Sequence, residues 1–371
     1  MTRRGWRIAL MAGLSGLAAL LALTAGAVCL TSGCSSIGYL AQSASGHLSI
    51  VNSAKPVTEW LADPSTPEPL KARLALSQRM RDFAINELKL PDNRSYRSYA
   101  DLHRSAAVWN VAAAPELSLK LKTWCFPVVG CVGYRGYYSL QTAEAEGQAL
   151  RDQGLEVTVY PVPAYSTLGK ANWLGGDPLL NTFVGWSEGQ LAQLIFHELA
   201  HQVVYAAGDT MFNESFATTV ERLGSARWLE KYGSEQARAQ EDAIERRRGD
   251  FRTLTLGTRA ALDALYRSDA PDDVKRERKA ALMAKMREDY AALKVGPWKG
   301  FNGYDVFFDK ANNASLGIQA AYVDWVPAFE GLFEREGRDF ARFYAAVGQL
   351  AQLPRAEREA ALRALTPSIT N

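Results

Sequence analysis

The run Phe196-His197-Glu198-Leu199-Ala200-His201-Gln202, followed closely by Asn213-Glu214-Ser215-Phe216-Ala217, is the stretch from which the rest of this 371-residue chain can be read. Its centre has the form H-E-x-x-H. Residues four apart on a helix lie on one face, so His197 and His201 present two imidazoles to one metal ion. Glu198, one step round the helix, is placed to take a proton from a water held on that ion. The neighbouring residues predict the helix itself. Ser187-Glu188-Gly189-Gln190 reads as a capping box, Leu191, Leu194 and Ile195 follow at core-facing spacing, and Gly208 is a stop signal. Asn213, a favoured N-cap residue, predicts a second helix running to about Trp228.

A catalytic zinc site takes three protein ligands. Glu214, in the first turn of the second helix, is the expected third. Glu221 lies two turns further along the same face. It is either a carboxylate that orients a histidine or a solvated helix charge. The chain has four histidines, His47, His103, His197 and His201, so a chance pair at ligand spacing with an acid between is rare. The competing reading is two buried histidines without a metal. A His/His/Glu donor set favours zinc among the divalent ions.

His197-Glu198-Leu199-Ala200-His201-Gln202 with Asn213-Glu214-x-Phe216-Ala217 resembles the gluzincin signature, and within it the alanyl-aminopeptidase pattern HELAHQ…NEGFA. The gap between the halves is shorter here, Ser215 stands in place of the glycine, and no G-x-M-E-N stretch for holding a free amine is present. A wider resemblance covers most of the chain after its N-terminal segment. Trp124-Cys125-Phe126-Pro127, Tyr134-Arg135-Gly136-Tyr137-Tyr138, Ala164-Tyr165-Ser166-Thr167-Leu168-Gly169, Asp177-Pro178-Leu179-Leu180 and Asn312-Asn313-Ala314 are similar to a family of predicted zinc aminopeptidases found as bacterial envelope lipoproteins. The resemblance implies an α+β, zincin-like metallopeptidase. Such a fold is mostly helical, with a small sheet beside the H-E-x-x-H helix. It also implies a tyrosine or histidine that donates to the tetrahedral intermediate. No histidine lies late in the chain, so Tyr322 is the candidate, with Tyr205 and Tyr304 as rivals.

The N-terminus bears on location. Met1 to Arg7 is basic, residues 8–30 carry no charge, and Thr31-Ser32-Gly33-Cys34 looks like a lipobox with Thr31 where leucine is usual. One expectation is a signal peptide over 1–33, cleaved to leave a lipidated Cys34 and a tether over 34–65. The other is a retained single-span anchor. Either places the remainder outside the cytoplasm, in the lipoprotein case facing the periplasm. Cys125 and Cys131 are the only cysteines beyond that segment. They form either a small disulfide loop, which an oxidising compartment permits, or two unpaired thiols.

The full chain carries 42 basic and 40 acidic residues. Removing Arg3, Arg4 and Arg7 leaves 39 against 40, so no nucleic-acid partner is expected. The metallopeptidase domain is expected over 66–371. It starts at a Thr66-Pro67 helix signal, has strands over 122–139 and 155–162, and carries a charged helical hairpin inserted at 234–295. The runs Arg246-Arg247-Arg248 and Lys275 to Lys279 in that hairpin read as solvated faces, or as part of a lid or partner-binding arm. Three functions follow: a zinc aminopeptidase that cleaves peptides by attack of a zinc-activated water with Glu198 as general base, a zinc endopeptidase acting on envelope proteins, or a non-catalytic metal-binding lipoprotein.

Overall fold

The computed structural model describes residues 34–126, 130–164, 175–319 and 325–366. The expected signal segment 1–33 and Tyr322 lie outside them. The chain divides into two compact units, Met1–Ser49 and Ile50–Asn371. No described helix is long and apolar enough to cross a membrane.

The fold is α+β and mostly helical. Helix α1 is Cys34–Ser53, β1 Lys55–Pro56, α2 Val57–Ala62 and α3 Glu68–Asn86. Strands β2 (Ser98–Ala100), β3 (Val108–Pro115), β4 (Trp124–Phe126), β5 (Gly130–Val132) and β6 (Arg135–Tyr137) come next, then α4 (Leu140–Arg151), β7 (Leu155–Val162) and β8 (Leu179–Leu180). The rest is helical: α5 Glu188–Ala200, α6 Thr210–Tyr232, α7 Glu235–Arg267, α8 Asp272–Val295, α9 Asp305–Lys310, α10 Asn313–Ile318, α11 Val326–Arg335, α12 Phe340–Gln352 and α13 Arg355–Leu365.

Two small three-stranded sheets have the orders β1-β2-β8 and β6-β3-β7, and β4-β5 is a separate ribbon. In the first, β8 pairs parallel with β2, Tyr99 opposite Leu179, and then leads into α5. Ordered structure begins earlier than the expected domain start at Thr66. Lys55 and Pro56 pair with Tyr99 and Ser98, and Val57 is buried, so the stretch expected as a tether is partly built into the body. Helix α3 also starts one residue late: Pro67, not Thr66, occupies the N-cap, and the buried Thr66 hydroxyl has no partner among the described residues.

The main core lies between α3, α5, α6, α11 and α12. Phe83 meets Phe196 at 5.9 Å and Trp228 edge-on at 5.3 Å, and Phe216 packs on Phe329 and Phe343. The closest approach of α6 to this core needs a glycine: a Cβ on Gly224 would stand 2.7 Å from Leu88 Cδ1 and 3.0 Å from Phe196 Cδ2. The hairpin appears as α7 and α8, broken at residues 268–271. It carries a second core of Leu262, Met283, Met286, Tyr290, Trp298 and Phe308. Tyr304 belongs there too, stacked on Phe251 at 4.5 Å. The sulfurs of Cys125 and Cys131 are joined across the β4-β5 ribbon.

Candidate metal centre

Helix α5 starts as its sequence predicts, with Ser187 Oγ accepting from the Gln190 amide at 3.3 Å. It ends at Ala200 with His201 as C-cap, well short of Gly208. The turn between α5 and α6 is fixed by Asn213, which is not the N-cap its sequence suggests. Asn213 sits inside α6; its Oδ1 accepts from the Ala206 amide at 2.7 Å and its Nδ2 donates to the Ala206 carbonyl at 2.8 Å. The cap is Asp209, which accepts from the Phe212 amide at 3.1 Å. Its other oxygen pairs with Arg358 at 2.6 Å, both side chains buried.

This turn returns α6 antiparallel to α5 and brings three donors together. His197 Nε2 lies 3.2 Å from His201 Nε2 and 3.3 Å from Glu214 Oε2, and His201 Nε2 lies 3.8 Å from Glu214 Oε1. All the donor atoms stand within 4.8 Å of one another. Donors bound at 2.0–2.1 Å to a tetrahedral ion are about 3.3 Å apart, so these spacings fit one. The chemistry agrees. Two imidazole nitrogens facing each other across a carboxylate leave lone pairs that only a shared proton or a cation can satisfy.

Glu221 takes the orienting position: its Oε2 lies 2.7 Å from His197 Nδ1. That contact holds the Nδ1 proton and leaves Nε2 to face the other donors. Electrostatics separates the two histidines. Burial pushes His197 towards the neutral form, but the carboxylates of Glu214 and Glu221 outweigh it and raise its pKa well above the usual value. Burial and the neighbouring His197 lower His201 to about 4. Burial alone would raise Glu214, yet the hydrogen bond to His197 holds it below the ordinary carboxylate range. Without a cation, one proton on His197 takes the place that a metal would fill.

Glu198 faces a cleft of about 320 Å³ rather than the core. It is lined by residues of three helices, among them His197 and Glu198 on α5, Thr218 and Glu221 on α6, and Arg248 and Arg252 on α7. His103, by contrast, is exposed beside Asp101 and far from these donors in sequence.

The loop after α3, residues 91–97, braces the C-terminal end of α5. Gln202 accepts from Asn93 Nδ2 at 2.7 Å and donates to Ser95 Oγ at 3.3 Å. Arg81, fully buried, donates to the carbonyls of Pro91, Asn93 and Ser95. The loop holds Tyr96 at φ 63°, a left-handed conformation uncommon for a bulky residue. Its amide is tied to the Asp177 carbonyl at 2.6 Å and its own carbonyl accepts from Gln78 at 3.0 Å. The Tyr96 hydroxyl is buried with no hydrogen-bond partner among the described residues. Burial, then the carboxylates of Glu198 and Asp177, raise its pKa well above that of a free phenol, so it stays a protonated donor.

Residues 38–362 match the family described as "Putative aminopeptidase". No curated protein and no solved structure matches the chain.

Proposed function

We propose, from the premise that this chain belongs to the family described as "Putative aminopeptidase", that it is a zinc-dependent peptidase of zincin-like fold. The supporting observation is the convergence of His197, His201 and Glu214 beside a cleft that Glu198 faces. His197, His201 and Glu214 are the residues that would hold the ion, a donor set suited to zinc. Bound there, it would supply Lewis acidity towards water and the scissile carbonyl. Glu198 accepts the proton of the attacking water and delivers it to the leaving amine. Glu221 fixes the tautomer and orientation of His197.

The sequence reading gives the donor to the developing oxyanion as Tyr322. Among the described residues, Tyr96 is the tyrosine whose ionisation feels Glu198. Aminopeptidase action is preferred to endopeptidase action on the family's description. Lipid attachment at Cys34, with the body on the periplasmic side of a bacterial envelope, is part of the same proposal and rests on the lipobox resemblance.

Glu198→Gln tests the mechanism. Zinc binding is expected to persist, while peptide hydrolysis falls by at least about 10²-fold, the scale of lost general-base catalysis. Unchanged hydrolysis in this variant overturns the role given to Glu198. Peptides with free and acetylated N-termini, with products read by mass spectrometry, separate the two modes. Stepwise loss from free termini alone marks an aminopeptidase, and internal cuts in both sets mark an endopeptidase.

A further inference from the structure

The cleft that Glu198 lines also carries two cationic side chains, and one of them is held in place. Arg248 and Arg252 lie one turn apart on α7 and both line the cleft. Like charges at this spacing oppose helix stability by about 0.2–0.5 kcal/mol, a repulsion that a nearby anion relieves. Arg248 has one on its own helix, Glu245 at 2.7 Å. Arg252 makes no ion pair among the described residues.

Arg248 is also held from beneath. The buried Gln193, on α5, donates through Nε2 to Glu241 at 2.8 Å and accepts through Oε1 from Arg248 Nη1 at 2.7 Å. Glu241 is itself buried and lies against Gly189, where a Cβ would stand 2.1 Å from Glu241 Oε2. The chain Gly189–Glu241–Gln193–Arg248 therefore fixes the orientation of the Gln193 amide and, through it, one guanidinium nitrogen. A long surface arginine at random would have none of this support.

The cleft thus carries both signs of charge. Its lining combines the carboxylates of Glu198 and Glu221 with the guanidinium groups of Arg248 and Arg252, and Trp186 and Leu194 add apolar surface. Its volume, about 320 Å³, lies at the small end of ligand clefts, suited to a few residues of peptide. A guanidinium pairs a carboxylate with directional, charge-assisted bonds.

We infer that Arg248 and Arg252 bind a carboxylate of the substrate, so that the favoured substrates are short peptides with a carboxylate close to the scissile bond. The C-terminus of a di- or tripeptide and an Asp or Glu side chain both supply that group. The inference rests on the peptidase reading for its word "substrate", but the arginine pair can be tested without it.

The test uses Ala-Ala-Ala against its C-terminal amide, and Ala-Glu-Ala amide against Ala-Gln-Ala amide, with the zinc-loaded protein. In at least one pair the carboxylate-bearing peptide is expected to have a kcat/KM higher by about five- to tenfold, the scale of one partly exposed charge-assisted contact. That ratio is expected to collapse to within about twofold in Arg252→Gln and to invert in Arg252→Glu, while Arg246→Gln, outside the cleft, keeps it. The first pair responding alone identifies the C-terminus, and the second alone the side chain. Equal values within both pairs overturn the inference. If the parent cleaves none of the four, the peptidase reading fails, and the same pairs are measured as ligands by calorimetry. A carboxylate preference in binding that Arg252→Gln removes still supports the inference, and no such preference overturns it.

Discussion

Removing the carboxylate behind His197 should weaken metal binding without touching a ligand. Glu221 lies 2.7 Å from His197 Nδ1, and its side chain is 21% exposed. The short contact, with an ionised acceptor, is of the charge-assisted kind. It raises the basicity of the imidazole and fixes the ring in the rotation that turns Nε2 towards Glu214. Loss of such a partner costs about 10- to 100-fold in metal affinity, or about 1.4–2.7 kcal/mol. Glu221→Ala is expected within that range. Partial exposure lets water replace the acceptor, which argues against the upper end. Glu221→Gln keeps an acceptor oxygen but loses its charge, and should fall between the parent and the alanine variant. The assay is a zinc titration against a chelator of known affinity. Glu230→Ala, on the exposed side of the same helix, is the control. A second readout is independent of the chelator. Bound metal stabilises the fold in proportion to the logarithm of its affinity, so a tenfold loss should remove about 1.4 kcal/mol of zinc-dependent stabilisation. A Glu221→Ala protein that binds zinc within about twofold of the parent would refute the argument.

Two further perturbations probe the supports of the site. Asp209→Ala removes both the cap of α6 and the partner of buried Arg358. A lost cap costs about 1 kcal/mol and an orphaned buried charge about 3–5 kcal/mol, so denaturant unfolding should show a loss of at least about 4 kcal/mol. Asp209→Asn, which keeps the cap acceptor, should recover about 1 kcal/mol of it, and a loss below about 1 kcal/mol in both variants contradicts the pairing. Tyr96→Phe deletes a buried hydroxyl that has no partner among the described residues, so stability should be unchanged or rise by about 1 kcal/mol, whereas a fall of more than that would reveal a partner. Tyr322→Phe, run alongside, should lower kcat by about 10²-fold with little change in KM if it donates to the oxyanion. An unchanged kcat for Tyr322→Phe with a reduced one for Tyr96→Phe moves that role to Tyr96.

The convergence of His197, His201 and Glu214 was readable because its information is local. His197 and His201 need only helical spacing, and Glu221 needs only to lie two turns beyond Glu214 on the same helix. The polar ends of α5 and α6 were readable in part. Ser187 caps as its sequence suggests, but Asp209 and Asn213 are both good cap residues, and the choice falls to Arg358, which is 149 residues from Asp209. Nothing local carries that information. The same holds for Arg248 and Arg252. On sequence Arg248 belongs to a run read as a solvated face or part of a lid or partner-binding arm and Arg252 carries no signal, and both come to line a cleft only because α7 packs back against α5. Tyr96 was invisible for a different reason. A left-handed residue is signalled by Gly, Asn or Asp, and here tertiary bonds from Asp177 and Gln78 impose the conformation on a tyrosine.

Asn213, Glu214 and Ser215 divide the work of placing one carboxylate beside the two histidines between neighbours in a single turn. Glu214 alone faces the histidines. Asn213 clamps the preceding turn through both polar atoms of its amide, and so sets where the first turn of α6 lies. Ser215 faces away from the donors, fully buried, and its hydroxyl accepts from the Trp325 amide at 3.3 Å at the start of α11. A glycine at that position, as in the alanyl-aminopeptidase pattern, has no hydroxyl with which to accept that bond. Asp209, one turn earlier, reaches α13 through Arg358. The segment that carries Glu214 is therefore anchored to three elements: the α5–α6 turn, α11 and α13. Its placement depends on packing far from the histidines. H-E-x-x-H places the two histidines, while the residues around Glu214 determine whether its carboxylate reaches them.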